Sequence, residues 1–152
     1  MELIDIREVI NQELIIEELN VETKLEALQA LVNLLDTQGY LIDPEEFLND
    51  VLLREEEGVT GLGEGIAIPH GKSDGVNKTV IAIGKNKKGI DWGSVDEELV
   101  EVIILFAVKK TDETTLHIKM LQKVAILLSD EELLYKLRNA ATNLEIYELL
   151  TE

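Results

Sequence analysis

The run Val100-Glu101-Val102-Ile103-Ile104-Leu105-Phe106-Ala107-Val108 carries one charged side chain in nine residues. A strand with one wet face alternates apolar and polar residues, so this run predicts a central strand covered on both sides. Two β-branched runs precede it, Gly65-Ile66-Ala67-Ile68 and Thr79-Val80-Ile81-Ala82-Ile83, and the short stretch from Leu14 to Leu19 reads as a further strand. Helical patterns lie on either side. Leu25, Leu28, Val32 and Leu35 recur at helical spacing, with Asn20 or Thr23 as N-cap and Gly39 as the stop. Asp43-Pro44-Glu45-Glu46 opens a second helix: Asp43 caps it, Pro44 takes the first position and Glu46 stands where it completes a capping box. Phe47 and Val51 are its apolar face and Gly58 its end. Beyond the central run, Thr115 to Leu128, Glu131 to Leu137 and Asn143 to Leu150 read as helices. Helices early and late around a strand-rich middle predict an α/β fold, a single-domain sandwich with a mixed central β-sheet flanked by helices.

The 152 residues, 45% hydrophobic, suffice for one substantial core, and residues 1–152 show no repeat, low-complexity tract or linker. No apolar stretch approaches the roughly 20 residues of a membrane helix, so a cytoplasmic protein without direct membrane insertion is expected. Cysteine is absent, which removes disulfides, thiolate zinc sites and a cysteine nucleophile. A net charge of −17, from 31 acidic and 14 basic residues, repels nucleic acid and anionic lipid. The same charge keeps a protein soluble and speeds encounter with basic partner surfaces.

The chain holds two prolines and two histidines, and one of each falls within Gly61-Leu62-Gly63-Glu64-Gly65-Ile66-Ala67-Ile68-Pro69-His70-Gly71. Pro69 has a fixed φ and no N–H, so it ends a strand's pairing and holds His70 at the edge of the sheet. Gly71 lets a ligand or partner approach the backbone closely. Taken alone, Pro-His-Gly is equally a simple turn. A nucleotide site does not fit the glycines. A dinucleotide fingerprint needs glycine where Ile66 stands, and a P-loop ending in Gly71-Lys72-Ser73 needs it there too.

His117 shares a helical face with Leu121, Val124 and Leu128 and so points inward from the first turn of its helix. It is either a core histidine satisfied by a carbonyl or a neutral N–H donor to an anion at a helix N-terminus. Arg54 enters the acidic run Glu55-Glu56-Glu57 and is either a surface ion-pair partner or a bidentate phosphate ligand. Two histidines among many carboxylates, without a ligand spacing such as His-x₃-His, do not make a metal site.

Arg54-Glu55, Thr60-Gly61, Gly63, the run Gly65 to Gly71 and Lys72-Ser73-Asp74 together closely resemble the fructose/mannitol (type-2) EIIA domains of the bacterial phosphotransferase system. Gly89-Ile90-Asp91-Trp92, Phe106-Ala107-Val108 and Leu116-His117 with Leu121 and Ala125 extend the resemblance over nearly the whole chain. The segment Val95-Asp96-Glu97-Glu98-Leu99 departs from the Asp-Gly-x-Pro-Val type of turn usual in that family. The resemblance implies that His70 is a phosphohistidine modified on Nε2 by the phosphocarrier HPr and discharged to the thiolate of a IIB component, and through it to sugar at a membrane IIC. It further implies that His117 and Arg54 contact the phosphoryl group, with Thr60 and Ser73 as further candidate donors. No metal or nucleotide cofactor is needed, because the donor is already a phosphohistidine. IIB and IIC are expected on other chains. A regulatory EIIA of the nitrogen-related kind, in which phosphorylation of His70 controls partner binding, fits the same residues.

Overall fold

A computed structural model describes residues 5–112 and 115–151. In chain order the elements are β1 (Ile15–Ile16), α1 (Lys24–Thr37), α2 (Pro44–Glu57), β2 (Gly61–Gly63), β3 (Ile66–Ala67), β4 (His70–Ser73), β5 (Val80–Ile90), β6 (Val100–Lys109), α3 (Leu116–Leu128), α4 (Glu131–Asn139) and α5 (Asn143–Thr151). Thr23 begins α1 with a complete capping box to Glu26, a device worth about 1 kcal/mol. Asp43 caps α2 through a 3.1 Å bond from Glu46 N; the return bond expected from the Glu46 carboxylate is not among the bonds the structure describes.

The sheet is mixed, in the order β1-β5-β6-β3-β2, with β4 also paired to β6. β6 is central as its composition predicts, antiparallel to β5 and parallel to both β3 and β4. Its side chains divide between two cores. Ile103, Leu105 and Ala107 pack with Leu28, Leu31, Phe47 and Val51 of α1 and α2. Val102, Ile104 and Phe106 pack with Met120, Leu137 and Ile146 of α3, α4 and α5.

Four strands differ from the sequence reading, the first being β2, Gly61–Gly63, in a glycine-rich stretch read as no strand and paired here with β3. Of Leu14 to Leu19 only Ile15–Ile16 pairs, with Ile83 and Gly84 of β5; Leu14 closes a short 3-10 turn, and Asn20, at φ 55, bends the chain toward α1. β5 runs on past Ile83 to Ile90 through Gly-Lys-Asn-Lys-Lys-Gly, which carries no strand pattern. Its polar residues are absorbed individually: Lys85 is buried with its ammonium on the Ala140 carbonyl, and the Asn86 amide brackets the Val21 backbone. His70–Ser73, expected as a loop after a strand end, is itself a strand, with His70 opposite Phe106 and Gly71 opposite Ala107. Pro69 therefore does not end the pairing; it separates two short strands, β3 and β4, that lie along the same neighbour.

Alternation along β4 sends His70 toward α3 and Gly71 toward α2. A Cβ on Gly71 would lie 2.7 Å from Val51 Cγ2 and 2.9 Å from Phe47 Cε1. The close approach that this glycine permits is that of helix α2, not of a ligand. Gly71→Ala should cost about 1–3 kcal/mol by overpacking, read as a lower Tm and denaturation midpoint; an unchanged midpoint would contradict this packing.

Candidate functional site

The site begins with a backbone carbonyl. Ile68 O lies 3.2 Å from His70 Nδ1, and a carbonyl only accepts, so Nδ1 carries the ring proton. On the other side of the ring, Arg54 Nε donates to His70 Nε2 at 3.1 Å, and a guanidinium only donates, so Nε2 presents its lone pair. His70 is thereby held as the neutral Nδ1–H tautomer. His70 is 8% exposed, a buried residue and not one displayed on an open loop. Burial lowers its pKa below 6.5, helped by the charges of Arg54 and Lys72 and opposed by the Ile68 hydrogen bond.

Arg54 comes from the last turn of α2, and its Nη1 also donates to Gly58 O at 3.2 Å. Among the described residues its guanidinium forms no ion pair; it lies against an imidazole. His117, in the first turn of α3, places its ring centroid 5.2 Å from that of His70 and stands edge-on to Phe106 at 6.1 Å. Burial first, then the His70, Lys72 and Arg54 charges, push its pKa down to about 4. Its Nε2 is buried and has no hydrogen-bond partner among the described residues, so the carbonyl that would satisfy a core histidine does not reach this atom. Thr115 supplies no side-chain cap to α3.

His70, His117 and Arg54, distant in sequence, are thus brought together. Thr60 and Ser73 point elsewhere. Thr60 Oγ1 donates to Glu55 Oε1 at 2.5 Å and accepts from Trp92 Nε1 at 2.9 Å. Ser73 Oγ is buried and accepts from Gly75 N at 3.0 Å, three positions along β4 from His70 and so on its opposite face. Sequence reasoning assigned no role to Lys72, exposed and two residues beyond His70 on the same face; that period of two was the available signal. Among the described residues no group of three or more His, Asp or Glu side chains is placed to hold a metal ion. No helix among them is long and apolar enough to cross a membrane.

Residues 8–152 match the family described as phosphoenolpyruvate-dependent sugar phosphotransferase system, EIIA 2. The chain belongs to that family. It is 33% identical to the 2-O-α-mannosyl-D-glycerate-specific EIIABC component of Escherichia coli K12, over 84% of this chain and 20% of that one, so the chain spans about a fifth of the length of that relative. It is 30% identical to the fructose-specific EIIA component of Haloferax volcanii over 100% of this chain and 98% of that protein. The nitrogen regulatory protein of Klebsiella oxytoca is 33% identical over 95% of this chain and 88% of its own length. Among solved structures, the E. coli complex of enzyme IIA mannitol with phosphorylated IIB mannitol superposes with a TM-score of 0.79 at 28% identity, covering 93% of this chain and 96% of that one. The mixed-sheet α/β fold of the EIIA chain is that of these neighbours.

Both EIIA histidines should be neutral at pH 7. In an imidazole ¹⁵N NMR titration His117 should protonate near pH 4 and His70 below pH 6.5. Arg54→Ala removes a cation and a donor to the lone pair of Nε2, so it should raise the His70 pKa; a fall or no change would contradict the contact.

Proposed function

We propose that this EIIA chain, as one domain spanning residues 1–152, is a cytoplasmic phosphocarrier that takes a phosphoryl group from phospho-HPr onto His70 Nε2 and passes it to a IIB component for sugar uptake through a membrane IIC. The observation that carries this reading is the unprotonated Nε2 of a neutral imidazole, which accepts from the Arg54 guanidinium, with a second imidazole 5.2 Å away between ring centroids whose own Nε2 has no partner among the described residues. An in-line transfer needs a lone pair aimed at phosphorus. The lone pair of His70 Nε2 forms the new N–P bond as the N–P bond of the donor phosphohistidine breaks, and the electron pair of that bond returns to the donor ring. The proton on His70 Nδ1 stays in place. Its hydrogen bond to the Ile68 carbonyl strengthens as the ring takes up positive charge, so this contact favours the transition state over the ground state. Arg54, the His117 N–H and nearby backbone amides are the groups available to balance charge on the phosphoryl oxygens, and each such donor typically contributes about 2–4 kcal/mol. Attack by the thiolate of the acceptor on the same phosphorus returns the electron pair to Nε2.

A second reading is favoured by the nitrogen regulatory relative, which matches 95% of this chain. In that reading the same transfer to His70 switches the binding of another protein and does not feed a sugar.

Incubation with phosphoenolpyruvate and the general phosphotransferase proteins should place acid-labile phosphate on the wild type and none on His70→Ala. Arg54→Ala should be phosphorylated about a hundredfold more slowly. An unlabelled wild type, or equal labelling of His70→Ala, would contradict the proposal. Discharge to one member of a panel of IIB proteins with formation of sugar phosphate supports the relay, and failure to discharge to any supports the regulatory reading.

A further inference from the structure

Four side chains outside the histidine pair close a ring beneath Arg54. Glu55, the next residue in α2, has a side chain only 6% exposed, and its Oε2 lies 2.5 Å from Lys24 Nζ at the start of α1. Its Oε1 takes the Thr60 hydroxyl proton at 2.5 Å, and that hydroxyl accepts from Trp92 Nε1 at 2.9 Å. Lys24 Nζ returns to the indole face at 5.0 Å from its centroid, the geometry of a cation over a π-system. Thr60 and Trp92 are 2% and 4% exposed, so this polar circuit is built into the core.

The circuit bears directly on the guanidinium. The Glu55–Thr60 bond ties the end of α2 to the entry of β2 and closes the short loop that contains Gly58. The Gly58 carbonyl is the second acceptor of the Arg54 fork, at 3.2 Å from Nη1, while Nε reaches His70. Because Trp92 occupies an acceptor site on Thr60 Oγ1, the hydroxyl proton is left to point at Glu55, which fixes the direction of the clamp.

We propose that Glu55 and Thr60 are positioning residues for phosphoryl transfer, holding the loop whose Gly58 carbonyl keeps the Arg54 guanidinium against His70 Nε2. The role in transfer rests on the phosphocarrier reading above; the geometric role does not.

Thr60→Val tests it without changing charge or overall size. If the clamp fails, Arg54 leaves the imidazole, and the His70 pKa rises in the direction produced by Arg54→Ala. The rate of phosphorylation of His70 should fall about tenfold through kcat, with the KM for the phosphorylated donor little changed, as for a lost transition-state donor. Thr60→Ser, which keeps the hydroxyl, should restore both. In the Arg54→Ala background Thr60→Val should shift the titration no further, because the two changes remove the same contact. A general loosening of the core would instead add to it. If Thr60→Val does not fold, Trp92→Phe carries the test: it deletes the donor to Thr60 while keeping an aromatic face for Lys24, and should move the titration the same way. An unshifted titration in the variant tested, or a shift that adds fully to Arg54→Ala, would overturn the proposal. The titration needs no phosphate, so a wild type that fails to label would remove the phosphocarrier reading while leaving the clamp decided on its own.

Discussion

The carbonyl of Ile68 accepts from the imidazole two residues on, at the point where Pro69 interrupts the β-ladder between β3 and β4. β3 and β4 both run parallel to β6, with registers Ala67 to Ile103 and His70 to Phe106. Between them Ile68 N turns to Thr60 O, and Pro69 O takes Phe106 N, both at 2.9 Å. Proline has no N–H to offer the ladder, and the interruption leaves the Ile68 carbonyl to meet His70 Nδ1. That bond, with the Arg54 donor on the other side of the ring, decides which nitrogen keeps its proton and which one meets Arg54. The central strand supplies the register, the proline supplies the gap, and together they select Nε2.

Electrostatics follow from the same placement. The protein carries a net charge of −17, yet the fixed cations that act on both histidines are Arg54 and Lys72, with His70 itself acting on His117. Buried imidazoles beside cations stay neutral, and a neutral imidazole is at once a nucleophile and a hydrogen-bond donor. The site is therefore a cationic spot in an acidic protein, suited to a phosphoryl group.

Much of this was legible in the residues. β6 announced itself through near-unbroken hydrophobicity, Asp43 through its spacing to Glu46, and His117 through the face it shares with Leu121 and Val124, while of the two caps open for α1, Asn20 and Thr23, the structure uses Thr23. β4 did not, because His-Gly-Lys-Ser carries no strand pattern and owes its conformation to backbone pairing with β6. The second half of β5 was hidden by Lys85 and Asn86, whose polar ends are satisfied by tertiary partners that no local pattern reveals. The neighbourhood of His70, Arg54 and His117 came from the family resemblance, since residues this far apart leave no periodic trace. The Thr60 hydroxyl, expected near phosphate, is drawn instead to Glu55 and Trp92, partners that only the fold brings within reach.

The claim on which the rest turns is that the Ile68 carbonyl reserves Nδ1 and leaves Nε2 to react. Long-range ¹H–¹⁵N correlation with ³¹P NMR on the phosphorylated, ¹⁵N-histidine-labelled protein reads this directly. The account predicts one phosphorus coupled to Nε2 of His70, with Nδ1 still protonated. Phosphorus on Nδ1, or on His117, would contradict it.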